Sequence, residues 1–425
     1  MNPASLGKPE NTVANHPGQH FAARPVAAAN VHGLYLHLPF CFHKCHYCDF
    51  FSVVTHRDPD DEGHDPQTRF TDALLAELDH WSTGHAHIGT PDDRDAPTLA
   101  PLKPTTLFVG GGTPTYLRPE LWTRILDALH SHQTLKRVTE FTVEANPETV
   151  TPELMRQLAE GGVNRVSIGA QSFDRASLKA LERWHDPDNV PRAVDACRTA
   201  GITNVSLDLI FGIPGQTLAM LDRDLDRLLA LNPQHLSIYG LTYEPQTALT
   251  ARLRVGKITP VHEDTERAMY DRVMIRLDDA GYDHYELSNW CRRDPEDDLR
   301  CAHNLHYWHN RHWLGLGPGA ASHIAGRRWR NQPNLPAYLD ASPTPPRVDE
   351  EYLPTNQRLG EQLMLGLRLA QGVPLHWLNK HLSADDPRHA TLDQAIDLKL
   401  LERTDTYLRL TRNGRFVADT ILASS

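Results

Sequence analysis

The sequence is short of several things, and each shortage removes a class of function. No apolar run approaches the roughly 18 residues of a membrane span, and the first 30 residues carry no apolar core of a secretory signal. Basic residues are in deficit, 43 Lys and Arg against 54 Asp and Glu for a net charge of -11. A non-specific nucleic-acid binder needs the opposite balance to neutralise phosphates. Cysteine is scarce and unevenly spread: of Cys41, Cys45, Cys48, Cys197, Cys291 and Cys301, three fall within eight residues and three stand alone. That is no disulfide framework, and no C-x-x-C-H attachment motif for c-type heme occurs. Glycine (26) and proline (31) stay near ordinary usage, so the 425 residues read as globular, with two or three domains and a cytoplasmic location expected.

What is present is an alternation of short β-branched or aromatic runs with helical patterns. Leu34–Pro39, Thr106–Val109, Phe141–Ala145, Arg165–Gly169, Asn204–Phe211 and His235–Leu241 read as six parallel strands. Leu121, Trp122, Ile125, Leu126 and Leu129 recur at helical spacing after Pro119, and Leu154, Leu158, Leu178 and Leu181 suggest further crossover helices. Repeated βα units predict an α/β fold, either a barrel or a doubly wound sheet. Residues 1–30 read as a disordered lead-in and Thr83–Pro104 as a surface insertion. A break at Pro343–Pro346, then Leu359, Leu363 and Leu367 and the alternating Leu408 and Leu410, marks a separate C-terminal module. Gly315-Leu-Gly-Pro-Gly319 lacks the strand-to-helix context of a dinucleotide fingerprint and reads as a loop.

Cys41-Phe-His-Lys-Cys45-His-Tyr-Cys48 follows the first strand directly. Three thiolates at C-x3-C-x2-C spacing can hold three corners of an iron-sulfur cubane and leave one iron open. A zinc knot closed by His43 or His46 is the alternative. The motif with its aromatic before the third cysteine resembles the signature of the radical S-adenosylmethionine (SAM) superfamily, which implies a [4Fe-4S] cluster on Cys41, Cys45 and Cys48 with SAM on the open iron.

The resemblance extends in order along the chain. Gly110-Gly111-Gly112-Thr113 is similar to the superfamily's glycine-rich motif, and Glu144, Gln171, Arg183 and Asp208 fall at its SAM-contacting positions, as does Tyr35 before the cysteines. The fold it implies is a partial (β/α)6 barrel over residues 31–260, followed by an extension over 261–345 and a helical or winged-helix-like module over 346–425. Residues 34–241, Tyr285-Glu-Leu-Ser-Asn289 and the C-terminal module resemble the oxygen-independent coproporphyrinogen III oxidase group. Within that group the dehydrogenases carry a fourth cysteine two residues after the third, where this chain has Phe50, and an ordered N-terminal segment. His303-Asn-Leu-His-Tyr307-Trp308 matches the H-N-x-x-Y-W motif of the HemW-type heme chaperone branch. Imidazole can ligate heme iron and aromatic rings can cover a porphyrin, so the resemblance implies heme as a further cofactor, with His303 as a candidate ligand. It also implies an unidentified heme-acceptor protein and electron donor, and coproporphyrinogen oxidase activity is expected to be absent. Oxidative decarboxylation of coproporphyrinogen III is the alternative, and an unrelated radical SAM enzyme a third reading.

Overall fold

The computed structural model describes residues 29–60, 64–84, 88 and 98–423. The expected lead-in lies almost wholly outside these residues, as does much of the 83–104 insertion. The six expected strands form and pair in parallel: β1 (Gly33–Leu38), β2 (Thr106–Gly111), β3 (Glu140–Ala145), β4 (Arg165–Gln171), β5 (Asn204–Phe211) and β6 (His235–Gly240). Six further strands extend the sheet: β7 (Tyr282–Glu286), β8 (Asn289–Arg292), β9 (Trp313–Leu316), β10 (Ala321–Ile324), β11 (Arg327–Asn331) and β12 (Arg347–Tyr352). Among the described residues they make one twelve-stranded sheet in the order β12-β11-β10-β9-β1-β2-β3-β4-β5-β6-β8-β7. Only β9 among the added strands pairs in parallel, against β1. The others join as short antiparallel segments whose mixed polar sequences carry no clean apolar alternation, which is why sequence pattern does not announce them.

Crossover helices cover the outer face: α1 (Pro66–Ser82), α2 (Pro119–Ser131), α3 (Pro152–Glu160), α4 (Arg175–Ala180), α5 (Asn189–Thr199) and α6 (Leu218–Ala230). Proline at the first turn starts α1, α2 and α3, and Asp65, Thr151, Asp174 and Thr217 cap α1, α3, α4 and α6 through side-chain oxygens. In α2 the stripe Leu121, Trp122, Ile125, Leu126 and Leu129 is buried as its spacing predicts, each such side chain contributing about 1.5–3 kcal/mol of transfer free energy. Their partners are the outward residues of the strands, including Leu34, Leu36, Leu107, Val109, Val143, Ile168, Leu207 and Leu236, in one continuous core.

The alternate residues point into the barrel, and most are polar: Tyr35 and His37; Thr106; Glu140, Thr142 and Glu144; Arg165 and Ser167; Ser206 and Asp208; His235 and Ser237. The N-terminal end of this lumen is closed by α7 (Ala302–Trp308), a short helix whose first amides, Ala302 N and His303 N, donate to the Glu140 carboxylate at 2.8 and 2.9 Å. Cys301 N donates to Tyr285 Oη, which is bonded to His235 Nε2 at 2.8 Å, and His235 Nδ1 meets Ser206 Oγ at 2.9 Å.

The C-terminal module has its own core of Leu363, Leu367, Leu378, Leu392, Leu401, Leu408 and neighbours. Its helices Thr355–Arg368, Leu375–His381 and Arg388–Asp397 accompany a three-stranded antiparallel sheet, β13 (Val373–Pro374), β14 (Leu401–Arg403) and β15 (Tyr407–Leu410), in the winged-helix-like manner expected. Asn413-Gly414 lies within a single helical turn, Arg412–Arg415.

Replacing Glu140 with Ala strands two helix-terminal amides and removes a counter-charge from the buried Arg165. Urea unfolding of this variant should show a loss of about 3–5 kcal/mol; a loss within ~0.5 kcal/mol of wild type would mean that α7 does not depend on that carboxylate.

Candidate functional site at the C-terminal rim

The loop after β1 is held before any metal is considered. Phe40–Cys41 pairs with Val53–Val54, fixing the first cysteine, and Cys41 Sγ lies 3.5 Å from Thr113 Oγ1. His46 N donates to Leu181 O at 3.2 Å, Leu249 N donates to His46 O at 2.9 Å, and His43 Nε2 bonds Glu182 O at 3.0 Å. Tyr47 packs into a small apolar cluster of Leu181, Ile210, Ile213, Leu241 and Leu249, so its first role is to anchor this loop. All three thiols are free, with Cys41 buried and Cys45 and Cys48 half-buried.

A cation addresses the sulfurs. Arg183 Nη1 lies 3.6 Å from Cys45 Sγ, and its Nη2 donates to Gly169 O at 2.9 Å. Burial pushes the Cys48 thiol up to about 12, with the neighbouring sulfurs Cys45 and Cys41 adding to the shift, and burial likewise raises Cys41. Cys41 and Cys48 become favourable as thiolates only when positive charge sits among the sulfurs. Among the described residues no three His, Cys, Asp or Glu side chains converge on a single ion position. In a cubane each thiolate binds a different iron, so the sulfurs surround a cluster rather than meet at a point; the residues present fit that group.

Beside this loop, the glycine run ends β2. A side chain at Gly110 would come within 2.7 Å of the Glu144 carboxylate, and one at Gly112 within 2.6 Å of Phe40 O. Gly111 has φ +110, and its N–H donates to Glu144 Oε2 at 3.3 Å. The glycines therefore serve the protein's own close packing of rim and carboxylate before any ligand arrives. Tyr35 Oη is bonded to His37 Nδ1 at 3.1 Å, and His37 Nε2 donates to Phe51 O at 2.8 Å, tying β1 to the segment beyond the cysteines.

Glu144 is pushed up to about 7, first by burial and second by the negative charge of Asp208. Asp208 is itself raised by burial, although Ser167 Oγ donates to it at 3.0 Å. A half-buried carboxylate whose ionisation is disfavoured by a second one nearby forms a ready site for a cationic group, which would restore its charge. Gln171 sits at a β-bulge with φ +60, its side chain near Gly169 and Arg183. Backbone strain of this kind persists where the surroundings enforce it. The rim thus gathers Cys41, Cys45, Cys48, Gly111, Gly112, Thr113, Glu144, Gln171, Arg183 and Asp208, with Tyr35 one layer below.

His303 is not among them. It lies on α7 against the first residues of three strands, with Gly33 beside its ring, Thr106 Oγ1 2.7 Å from Nδ1 and its own amide on Glu140. Its Nε2 is 2.8 Å from Tyr307 Oη, it is 1% exposed, and burial pushes it down to about 3. With both ring nitrogens bonded, the imidazole can reach a metal only by giving up one partner. The six residues of β2 put roughly 17 Å of strand between this floor and the rim.

Residues 35–228 match the radical SAM superfamily model and residues 353–417 the HemN C-terminal domain. Among curated proteins the chain is 35% identical to "Heme chaperone HemW" of Lactococcus lactis, covering 89% of this chain and 93% of the relative. It is 33% identical to the protein of the same name from Bacillus subtilis, covering 92% and 98%. The chain belongs to the HemW family of the radical SAM superfamily. Among solved structures, coproporphyrinogen III oxidase from Escherichia coli superposes on this HemW-family chain with a TM-score of 0.77 at 22% identity, covering 95% of this chain and 91% of the oxidase chain, which establishes a common fold.

Arg165 escaped the sequence reading. It is 2% exposed, keeps its proton despite burial because the charges of Glu140 and Asp208 act on it, and leaves Nε without a partner among the described residues. Its signal was its place as the first inward residue of an alternating strand, where an arginine must face the lumen.

The raised Glu144 gives a pH test on protein lacking cluster and SAM. Its folded value of about 7 exceeds the ordinary 4.5, so its contribution is fully present below pH about 4.5 and is lost as pH rises through about 7, up to about 3 kcal/mol. Urea midpoints measured across that window should fall with pH and fall less steeply in Glu144→Gln. Glu77, also raised to about 7 by burial, leaves a residual slope in the variant; identical slopes in the two proteins would remove the assignment.

Proposed function

We propose that this chain is a heme chaperone: it holds a [4Fe-4S] cluster on Cys41, Cys45 and Cys48 with SAM at the open iron, binds heme, and passes it to an acceptor protein. The observation that carries the cofactor part is the meeting, at one barrel rim, of three free thiols with the half-buried pair Glu144 and Asp208. A cluster with SAM bound supplies one-electron chemistry and, on reductive cleavage, a carbon radical. Around it the chain's own groups have distinct tasks. Glu144 and Asp208 take up positive charge such as the SAM amino group, Arg183 faces the sulfurs and an incoming carboxylate, and the Gly110–Gly112 backbone lets the rim pack closely around Glu144. Gln171 and Tyr35 supply polar contacts next to that space.

The heme part rests on the curated relatives, which carry the heme chaperone name over nearly their whole length. It is supported by Phe50, 61% exposed, where the dehydrogenase pattern has a cysteine. Heme ligation by His303 requires one ring nitrogen to exchange its partner, the Thr106 or the Tyr307 hydroxyl, for iron, so it requires α7 to yield locally. Trp308 is the last residue of that helix, with Arg368 stacked 4.9 Å above its ring.

Anaerobic reconstitution should load iron and sulfide on the wild type and fail on Cys45→Ala. The reconstituted protein should bind heme and produce no protoporphyrinogen from coproporphyrinogen III. His303→Ala should lower heme affinity or shift its absorption spectrum at unchanged cluster content. Robust protoporphyrinogen formation would replace the chaperone reading with the dehydrogenase, whereas unaltered heme binding in the His303 variant would move only the ligand.

A further inference from the structure

The C-terminal module meets the barrel's edge strands across a cavity of about 330 Å³, far from the cysteine rim, whose walls include Tyr282, His284, Trp290, Arg409, Arg412 and Arg415. Its charges are unevenly satisfied. Asp278 is bonded to Arg293, and Glu402 accepts from Arg409 Nε at 2.7 Å. Arg412 directs Nε and Nη2 to Asp271 at 2.9 and 2.6 Å. Each of these two arginines keeps guanidinium hydrogens unspent.

Arg415 is different. It is half-buried, and its one polar contact among the described residues is Nη1 to His284 Nδ1 at 2.6 Å. His284 Nε2 donates to Leu287 O at 3.1 Å, so Nδ1 carries the lone pair and accepts from the guanidinium. Trp290 stacks on that imidazole at 4.1 Å and 9°, holding it in place. Burial and the Arg415 charge keep His284 uncharged, at about 3. A cation thus faces a neutral ring, with two more cations nearby, while the cavity's carboxylates Glu402 and Asp278 are already engaged by Arg409 and Arg293. A partly desolvated charge without a counter-ion is costly, and guanidinium forks are shaped for planar or tetrahedral oxyanions.

We propose that this seam is a binding site for a multivalent oxyanion, phosphate or dicarboxylate in class, with Arg415 as its inner ligand and Arg409 and Arg412 at its mouth. All three arginines belong to the module, and Arg415 also reaches His284 on β7, so the anion is held at the seam with the barrel edge. Occupancy therefore stabilises the docked arrangement by mass action. The site owes nothing to cluster, SAM or heme.

The test uses the full-length chain, inorganic phosphate and succinate as separate probes at ionic strength held constant with chloride, and both calorimetric titration and thermal unfolding. Saturable binding of at least one probe is expected, with a matching rise in unfolding temperature. Arg415→Gln should weaken it about tenfold or more, as loss of a charge-assisted contact does, while Arg330→Gln, a surface position paired with Asp349 elsewhere in the fold, should not. Binding of phosphate alone or of succinate alone supports the site and identifies its source. Should Arg415→Gln fail to fold, Arg409→Gln replaces it, since release of Glu402 would give Arg415 a carboxylate and displace the anion. Absence of saturable binding by both probes, or equal affinity in wild type and variant, overturns the proposal.

Discussion

A parallel strand that buries both faces sends every second side chain into the barrel, and in this chain those side chains are largely charged or hydrogen-bonding. The lumen is therefore a stack of polar layers that has to balance its own charge. Arg165 is the centre of that balance, a fully buried guanidinium within the influence of Glu140 below it and Asp208 and Glu144 above. Were the lumen filled with Val and Leu, as in many barrels, neither the floor helix nor the rim carboxylates could be held as they are. The outward faces carry the stability, through the apolar contacts with α1–α6, and this leaves the inward faces free for chemistry.

The same alternation explains how much was legible in the sequence. Outward positions in the six core strands are apolar and evenly spaced, so the strands, their parallel order and the α/β class follow from pattern alone. The cysteine loop is legible because three thiols in eight residues have few innocent explanations. Glu144 and Asp208 were found by the resemblance, in their order after that loop; what could not be read was that burial and the charge of Asp208 raise the proton affinity of Glu144. The short antiparallel strands β7–β8 and β10–β12 were missed because their register is set by neighbours distant in sequence, and a run such as Arg-Arg-Trp-Arg-Asn has no period of its own. Likewise the H-N-x-x-Y-W spacing fixes a helical face, and His303 and Tyr307 do meet on it, but it does not say that this face turns inward to the floor.

That placement changes how the two halves of the function relate. The cysteine loop and the histidine helix occupy opposite ends of one lumen, so a heme ligated by His303 and a cluster at the rim would not share a single open cavity. They share the polar column between them. His303 is bonded to Tyr307, and Tyr307 lies close enough to Glu144 to feel its charge, as does Tyr35. The hydrogen bond at His303 Nε2 and the carboxylate at the rim therefore belong to one electrostatic column, in which Glu144 acts on Tyr307 and Tyr307 holds His303.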